Sequence, residues 1–81
     1  MDNYTADKEI NIKGLVCPYT FVKSKIAIED MEIGEILEIL LDYEEASRSI
    51  PKSMEDLGHK VLKVEKVNDN DWILVIRKEK E

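Results

Sequence analysis

The chain has one cysteine, one histidine and two prolines among its 81 residues. A single cysteine excludes an internal disulfide framework. One cysteine plus one histidine also makes a poor metal site, because structural zinc usually takes four such ligands. No stretch approaches the roughly 20 consecutive apolar residues that a membrane-spanning helix requires. The segment Met1 to Glu9 is polar and acidic and lacks the basic-then-apolar order of a secretory signal. These shortages lead to the expectation of a reduced, cytoplasmic protein. Positive charge is in short supply too: 12 Lys and Arg stand against 18 Asp and Glu, for a net charge of -6. An acidic surface with no basic stripe repels phosphate backbones, which disfavours nucleic acid as a partner. The only basic concentration, Arg77, Lys78 and Lys80, alternates with Glu79 and Glu81 and reads as a solvated tail.

What is present suits one small soluble domain. Hydrophobic residues make up 43% and charged residues 37%. A core of this size leaves little room for a pocket of roughly 300 Å³ or more, so function is expected at the surface. Lys8 to Lys13 reads as a strand with Ile10 and Ile12 on one face, followed by the loop Gly14-Leu15-Val16-Cys17. A helix is predicted from Pro18 to about Met31, with Phe21, Ser24, Ile28 and Met31 on one stripe. Glu35 to Asp42 alternates as a strand, with Leu37, Ile39 and Leu41 on one side and Ile36 and Leu40 on a partly covered other side. Ala46 to Leu57 reads as a second helix with Ile50, Met54 and Leu57 at core spacing; Pro51 is expected to divide an irregular first turn from a regular helix. Lys60 to Val67 and Trp72 to Lys78 should pair as a hairpin through Asn68-Asp69-Asn70-Asp71. The order βαβαββ gives an α/β (α+β) two-layer sandwich. Its sheet should be mixed and four-stranded, with both helices on one face and the first two strands parallel.

Cys17 stands at the strand-to-helix turn directly before Pro18, which suits a first helical position. As N-cap, its sulfur would face the unpaired N–H groups of Tyr19 and Thr20 and the positive end of the helix dipole. Both would favour a thiolate. A persulfide, itself a sulfur anion that must remain reachable, needs the same setting. With no second cysteine to resolve it, a loaded sulfur can leave only to another molecule. On local sequence alone, a buried and inert cysteine carries equal weight.

At these residues the chain resembles the TusA family of sulfur-carrier proteins, also called SirA-like. The family pattern of an apolar residue, Asp, two residues, Gly-Leu, one residue, then Cys-Pro, one residue and Pro reads here Ile10-Asn11-Ile12-Lys13-Gly14-Leu15-Val16-Cys17-Pro18-Tyr19-Thr20. The resemblance continues through Met31 to Glu35, Asp42, Ala46, Ile50-Pro51 and Leu57-Gly58-His59, and covers 1–81 as a single domain of that family. It implies the same βαβαββ fold. It also implies a sulfur carrier that accepts sulfur as a persulfide on Cys17 from a donor protein, a cysteine desulfurase or rhodanese-like enzyme, and relays it to an acceptor protein. Such a chain is a sulfurtransferase-type carrier rather than an independent enzyme, and no cofactor is implied. Gly14, Pro18, Tyr19 and Thr20 are the supporting motif. Two positions depart from the pattern: Asn11 replaces the aspartate, removing a charge, and Thr20 replaces the second proline. Thr20 is expected to add a hydrogen bond to the Cys17 sulfur. The departures keep open an accessory cytosolic role in thiosulfate or sulfur-compound uptake, beside a membrane transporter. A non-catalytic interaction or regulatory module with a structural cysteine is the remaining alternative.

Other candidates carry less. His59 follows Gly58 and reads as a turn residue rather than a partner for Cys17. Asp42, Glu44 and Glu45 read as a solvated helix start, and Trp72 as core or edge packing. Val22 and Ile26 flank the helix stripe close to Cys17. Ordinary burial at a sheet margin is the first expectation for them, and a docking patch for a sulfur-transfer partner the second.

Overall fold

The computed structural model describes residues 6–16 and 19–80. Six elements follow in the expected order: β1 (Lys8–Asn11), α1 (Tyr19–Glu29), β2 (Ile36–Leu41), α2 (Glu44–Asp56), β3 (Lys60–Lys66) and β4 (Trp72–Arg77). The sheet order is β1-β2-β4-β3. β1 runs parallel to β2, with Ile10 opposite Ile39, and β4 is antiparallel to both β2 and β3. The strands end within one or two residues of the expected bounds. β1 stops at Asn11 because Lys13 and Gly14 already form a turn.

Burial explains the layering. Leu37, Ile39 and Leu41 alternate along β2 and are fully buried, as are Leu74 and Ile76 of β4. Against them pack Ile28 and Ala27 of α1 and Ala46, Ile50 and Met54 of α2, the last three at four-residue spacing. Ile36 and Leu40, on the other face of β2, are half-buried.

Two expectations for α2 need correction. The helix starts at Glu44, two residues early, and its amides at Ala46 and Ser47 close onto the carbonyl of Tyr43. Pro51 therefore falls well inside a continuous helix instead of marking its first turn. Leu57 is not core. It is the exposed C-cap of a Schellman closure, in which Gly58 (φ +95°) donates to Glu55 and His59 donates to Met54.

Register sorts the connections into two poles. Asn11, Leu40 and Ile73 lie side by side, so the β1–α1 loop, the β2–α2 junction and the hairpin loop share one end of the sheet. Ile36, Arg77 and Lys60 mark the other, where the turn into β2, the α2–β3 turn and the segment after β4 gather. β2 alone separates the poles by about 17 Å at 3.3 Å per residue.

The far pole holds a correction to the solvated tail. Lys78 is 5% exposed, and its ammonium donates to the carbonyls of Glu29 and Met31 at the end of α1. A cation there satisfies orphan carbonyls and complements the negative end of the helix. Beside it, the amide of Glu79 donates to Nδ1 of His59 at 3.2 Å.

Candidate functional site

Cys17 and Pro18 lie outside the described residues, so the site is built from the residues on either side. The approach to Cys17 has every amide from Ile12 to Leu15 assigned. Ile12 N–H donates to Leu40 O (2.8 Å), Lys13 N–H to Asn11 Oδ1 (3.0 Å), Gly14 N–H to Asp42 Oδ1 (2.9 Å) and Leu15 N–H to Ile12 O (3.2 Å). A chain whose amides all have fixed partners has little slack. Gly14 takes φ +88°, a left-handed conformation that suits glycine at this turn.

Side chains add a second tether. Lys13 Nζ lies 3.3 Å from Asp71 Oδ2 in the hairpin loop. Asp71 in turn accepts from Asn68 Nδ2 at 2.9 Å. The Asn68 hydrogen bond, then Lys13, hold the Asp71 carboxyl below its usual range. The loop before Cys17 is thus tied to the end of β2 through Asp42 and to the start of β4 through Asp71.

Sequence reasoning missed these carboxylates. Asp42 was grouped with Glu44 and Glu45 as a solvated start of α2. The two glutamates are indeed exposed in the first turn, but Asp42 belongs to the loop. Asn11, the departure from the family aspartate, still closes an Asx turn, because either side chain offers the Oδ1 acceptor.

The expected amide cradle for sulfur is corrected. Tyr19 N–H donates to Val16 O at 2.8 Å and Thr20 N–H to the same oxygen at 3.2 Å. These donors close the first turn onto Val16 and are not left unpaired. Thr20 is 1% exposed, and its hydroxyl finds no hydrogen-bond partner. The bond expected from Thr20 to the Cys17 sulfur lies outside the described residues; within them the Thr20 amide is used by Val16 and its side chain is buried.

The remaining predicted residues are exposed along α1, which runs from this pole towards the other. Val16 is 51% exposed, Tyr19 62%, Val22 44% and Ile26 59%. Tyr19, Val22 and Ile26, three and four residues apart, share one stripe of α1 leading away from the loop, and Val16 precedes the helix. Val22 and Ile26 are therefore not buried at a sheet margin, since Thr20, Ser24, Ala27 and Ile28 supply the buried face of α1. An open groove of about 320 Å³, lined by Ile10, Asn11, Ile12, Leu15 and Lys23, runs beside the loop. His59 sits at the far pole. Among the described residues, no cluster of His, Cys, Asp and Glu could hold a metal ion. No described helix is long and apolar enough to cross a membrane.

Comparison with known proteins agrees with this geometry. A family model described as Sulfurtransferase TusA matches residues 8–78. A putative sulfur carrier protein of Archaeoglobus fulgidus is 45% identical over 73 residues, covering 90% of this chain and 83% of that protein. One from Thermotoga maritima is 38% identical over 77 residues, covering 95% and 98%. The crystal structure of a SirA-like protein from Desulfitobacterium hafniense superposes with a TM-score of 0.79 at 20% identity, covering 90% of this chain and 99% of that one, and so shares the fold. A family match running from the first strand to the residue after the last, with relatives of similar length, establishes that the chain belongs to the TusA family.

Proposed function

We propose that this chain is a sulfur carrier that holds one sulfur atom as a persulfide on Cys17. The carrying observation is that its only cysteine falls at the motif position, after a loop whose amides from Ile12 to Leu15 are fixed and between the exposed Val16 and Tyr19 in sequence. The first turn of α1 contributes no carboxylate of its own against the positive end of the helix.

In the reaction, the Cys17 thiolate attacks the terminal sulfur of a donor protein's persulfide. The new S–S bond forms as the donor's S–S bond breaks, and the donor cysteine leaves as a thiolate. The carrier then holds Cys17–S–S⁻. A nucleophilic group on the acceptor takes the terminal sulfur, and the Cys17 thiolate is regenerated. No net oxidant is needed. A cysteine desulfurase or rhodanese-like protein fits the donor role, and the exchange suits a reducing compartment such as the cytoplasm.

The exposed Val16 and the α1 stripe Tyr19, Val22 and Ile26 that follows the motif support docking of either partner. A patch of four side chains suits a small, transient interface, as alternate loading and unloading demands. Incubation with a cysteine desulfurase and cysteine should add the mass of one sulfur atom, removable by reductant. No added mass, or a gain retained in Cys17→Ser, overturns the carrier reading.

A further inference from the structure

We infer that Asp42 is a positioning residue for sulfur transfer, acting through the amide of Gly14; this rests on the carrier reading of Cys17. The observation is the hydrogen bond from Gly14 N–H to Asp42 Oδ1, 2.9 Å long and spanning 28 residues of sequence. Among the described residues it is the one bond from the loop's amides to a side chain outside 11–16. The Lys13 and Leu15 amides are satisfied by Asn11 and Ile12 within the same stretch.

The bond reaches a firm support. Asp42 directly follows Leu41, which is fully buried at the end of β2, and it precedes Tyr43, whose carbonyl receives the first amides of α2. Its backbone is thus anchored between a central strand and a helix start, while the carboxylate itself is exposed. Gly14 lies three residues before Cys17, and a Cβ built there would meet no neighbouring atom, so no side chain of its own anchors it. The Asp42 bond and the Lys13–Asp71 pair, 3.3 Å apart, supply that anchorage, and both lie on the exposed side of the loop. Of the two, the Asp42 bond is the more direct, since it holds the backbone rather than the end of a flexible lysine side chain.

The role is in the accepting oxygen rather than the charge. A negative charge tied to the loop would by itself oppose formation of a sulfur anion. Asn at this position keeps an oxygen acceptor, at roughly half the hydrogen-bond strength, and drops the charge. Ala removes both.

The test compares wild type, Asp42→Asn and Asp42→Ala, each shown to be folded by circular dichroism. Two readouts are taken: the rate of sulfur loading from a cysteine desulfurase with cysteine, and the pH profile of Cys17 alkylation by iodoacetamide. Loading by Asp42→Ala should fall by about ten- to a hundredfold, the scale of a displaced reacting group. Both variants lose the carboxylate charge, so their alkylation profiles should coincide and lie no higher in pH than that of wild type. Asp42→Asn should nevertheless recover most of the loading rate. Equal loading by wild type and Asp42→Ala, an Asn variant as slow as Ala, or a loading loss in Ala matched by a higher-pH alkylation profile each overturns the positioning role. A wild type that takes up no sulfur overturns the carrier reading itself, and is told apart because it needs no variant.

Discussion

Replacing Thr20 with valine should stabilise the protein. Thr20 is 1% exposed at the start of α1, and its Oγ1 has no hydrogen-bond partner. Its backbone is fully used: the amide donates to Val16, and the carbonyl accepts from Ser24 Oγ at 2.8 Å. An unsatisfied buried hydroxyl costs about 1–3 kcal/mol, and the methyl that replaces it adds about 0.8 kcal/mol of apolar burial. Both side chains are β-branched, so helix propensity changes little. Taking the lower end, Thr20→Val should gain at least about 1 kcal/mol, which raises Tm by about 4–8 °C in a domain of this size. With a urea m-value of about 1 kcal/mol/M, the midpoint should rise by about 1 M. Thr20→Ser, which keeps the hydroxyl and deletes the methyl, should move both readings down. A valine variant less stable than wild type by 1 kcal/mol would show that the hydroxyl has a partner worth keeping, and the reasoning would fail.

Lys78→Met should lower stability by about 1.5–3 kcal/mol, the cost of hydrogen bonds from a charged donor, because the carbonyls of Glu29 and Met31 lose their partner; thermal melts check it. The His59 pKa is lowered from 6.5, first by burial and then by Lys78. Its neutral form is therefore favoured in the folded state. That stability is fully present above about pH 6.5 and is lost as pH falls through the lowered value, where Nδ1 can no longer accept from Glu79. Urea melts across this range should show the loss, and His59→Gln should flatten it. Val22→Glu and Ile26→Glu should shift stability by no more than about 0.5 kcal/mol, because both residues are exposed. If the stripe docks partners, the same changes should slow sulfur loading from a desulfurase, as followed by intact mass.

The fold was legible where local pattern and burial agree. The alternation of Leu37, Ile39 and Leu41 and the four-residue spacing of Ile50 and Met54 each name one buried face, and the structure buries those residues completely. The turn chemistry of Asn68 to Asp71 marked the hairpin for the same reason. The misses have a common cause, in that each depends on a partner distant in sequence. Lys78 reads as solvent-exposed until the end of α1, 47 and 49 residues away, presents it with bare carbonyls. Asp42 reads as a helix-start acid until the parallel pairing of β1 and β2 brings Gly14 alongside. Val22 and Ile26 misled in the opposite direction. Apolar character all round a helix suggests burial, but α1 has only one sheet and one neighbouring helix to cover it. At Thr20, a family proline position carried the expectation of a donor to sulfur, and the side chain instead points inward.

The opposition of the two poles has a practical consequence. The segment that follows β4 anchors beside His59 and the end of α1, on the side of the sheet away from the Gly14 loop. A fluorophore or affinity handle joined after Lys80 would therefore start about a strand's length from the Gly14 loop. Such a handle could tether the protein to a bead or report its rotation while leaving that loop open to solvent.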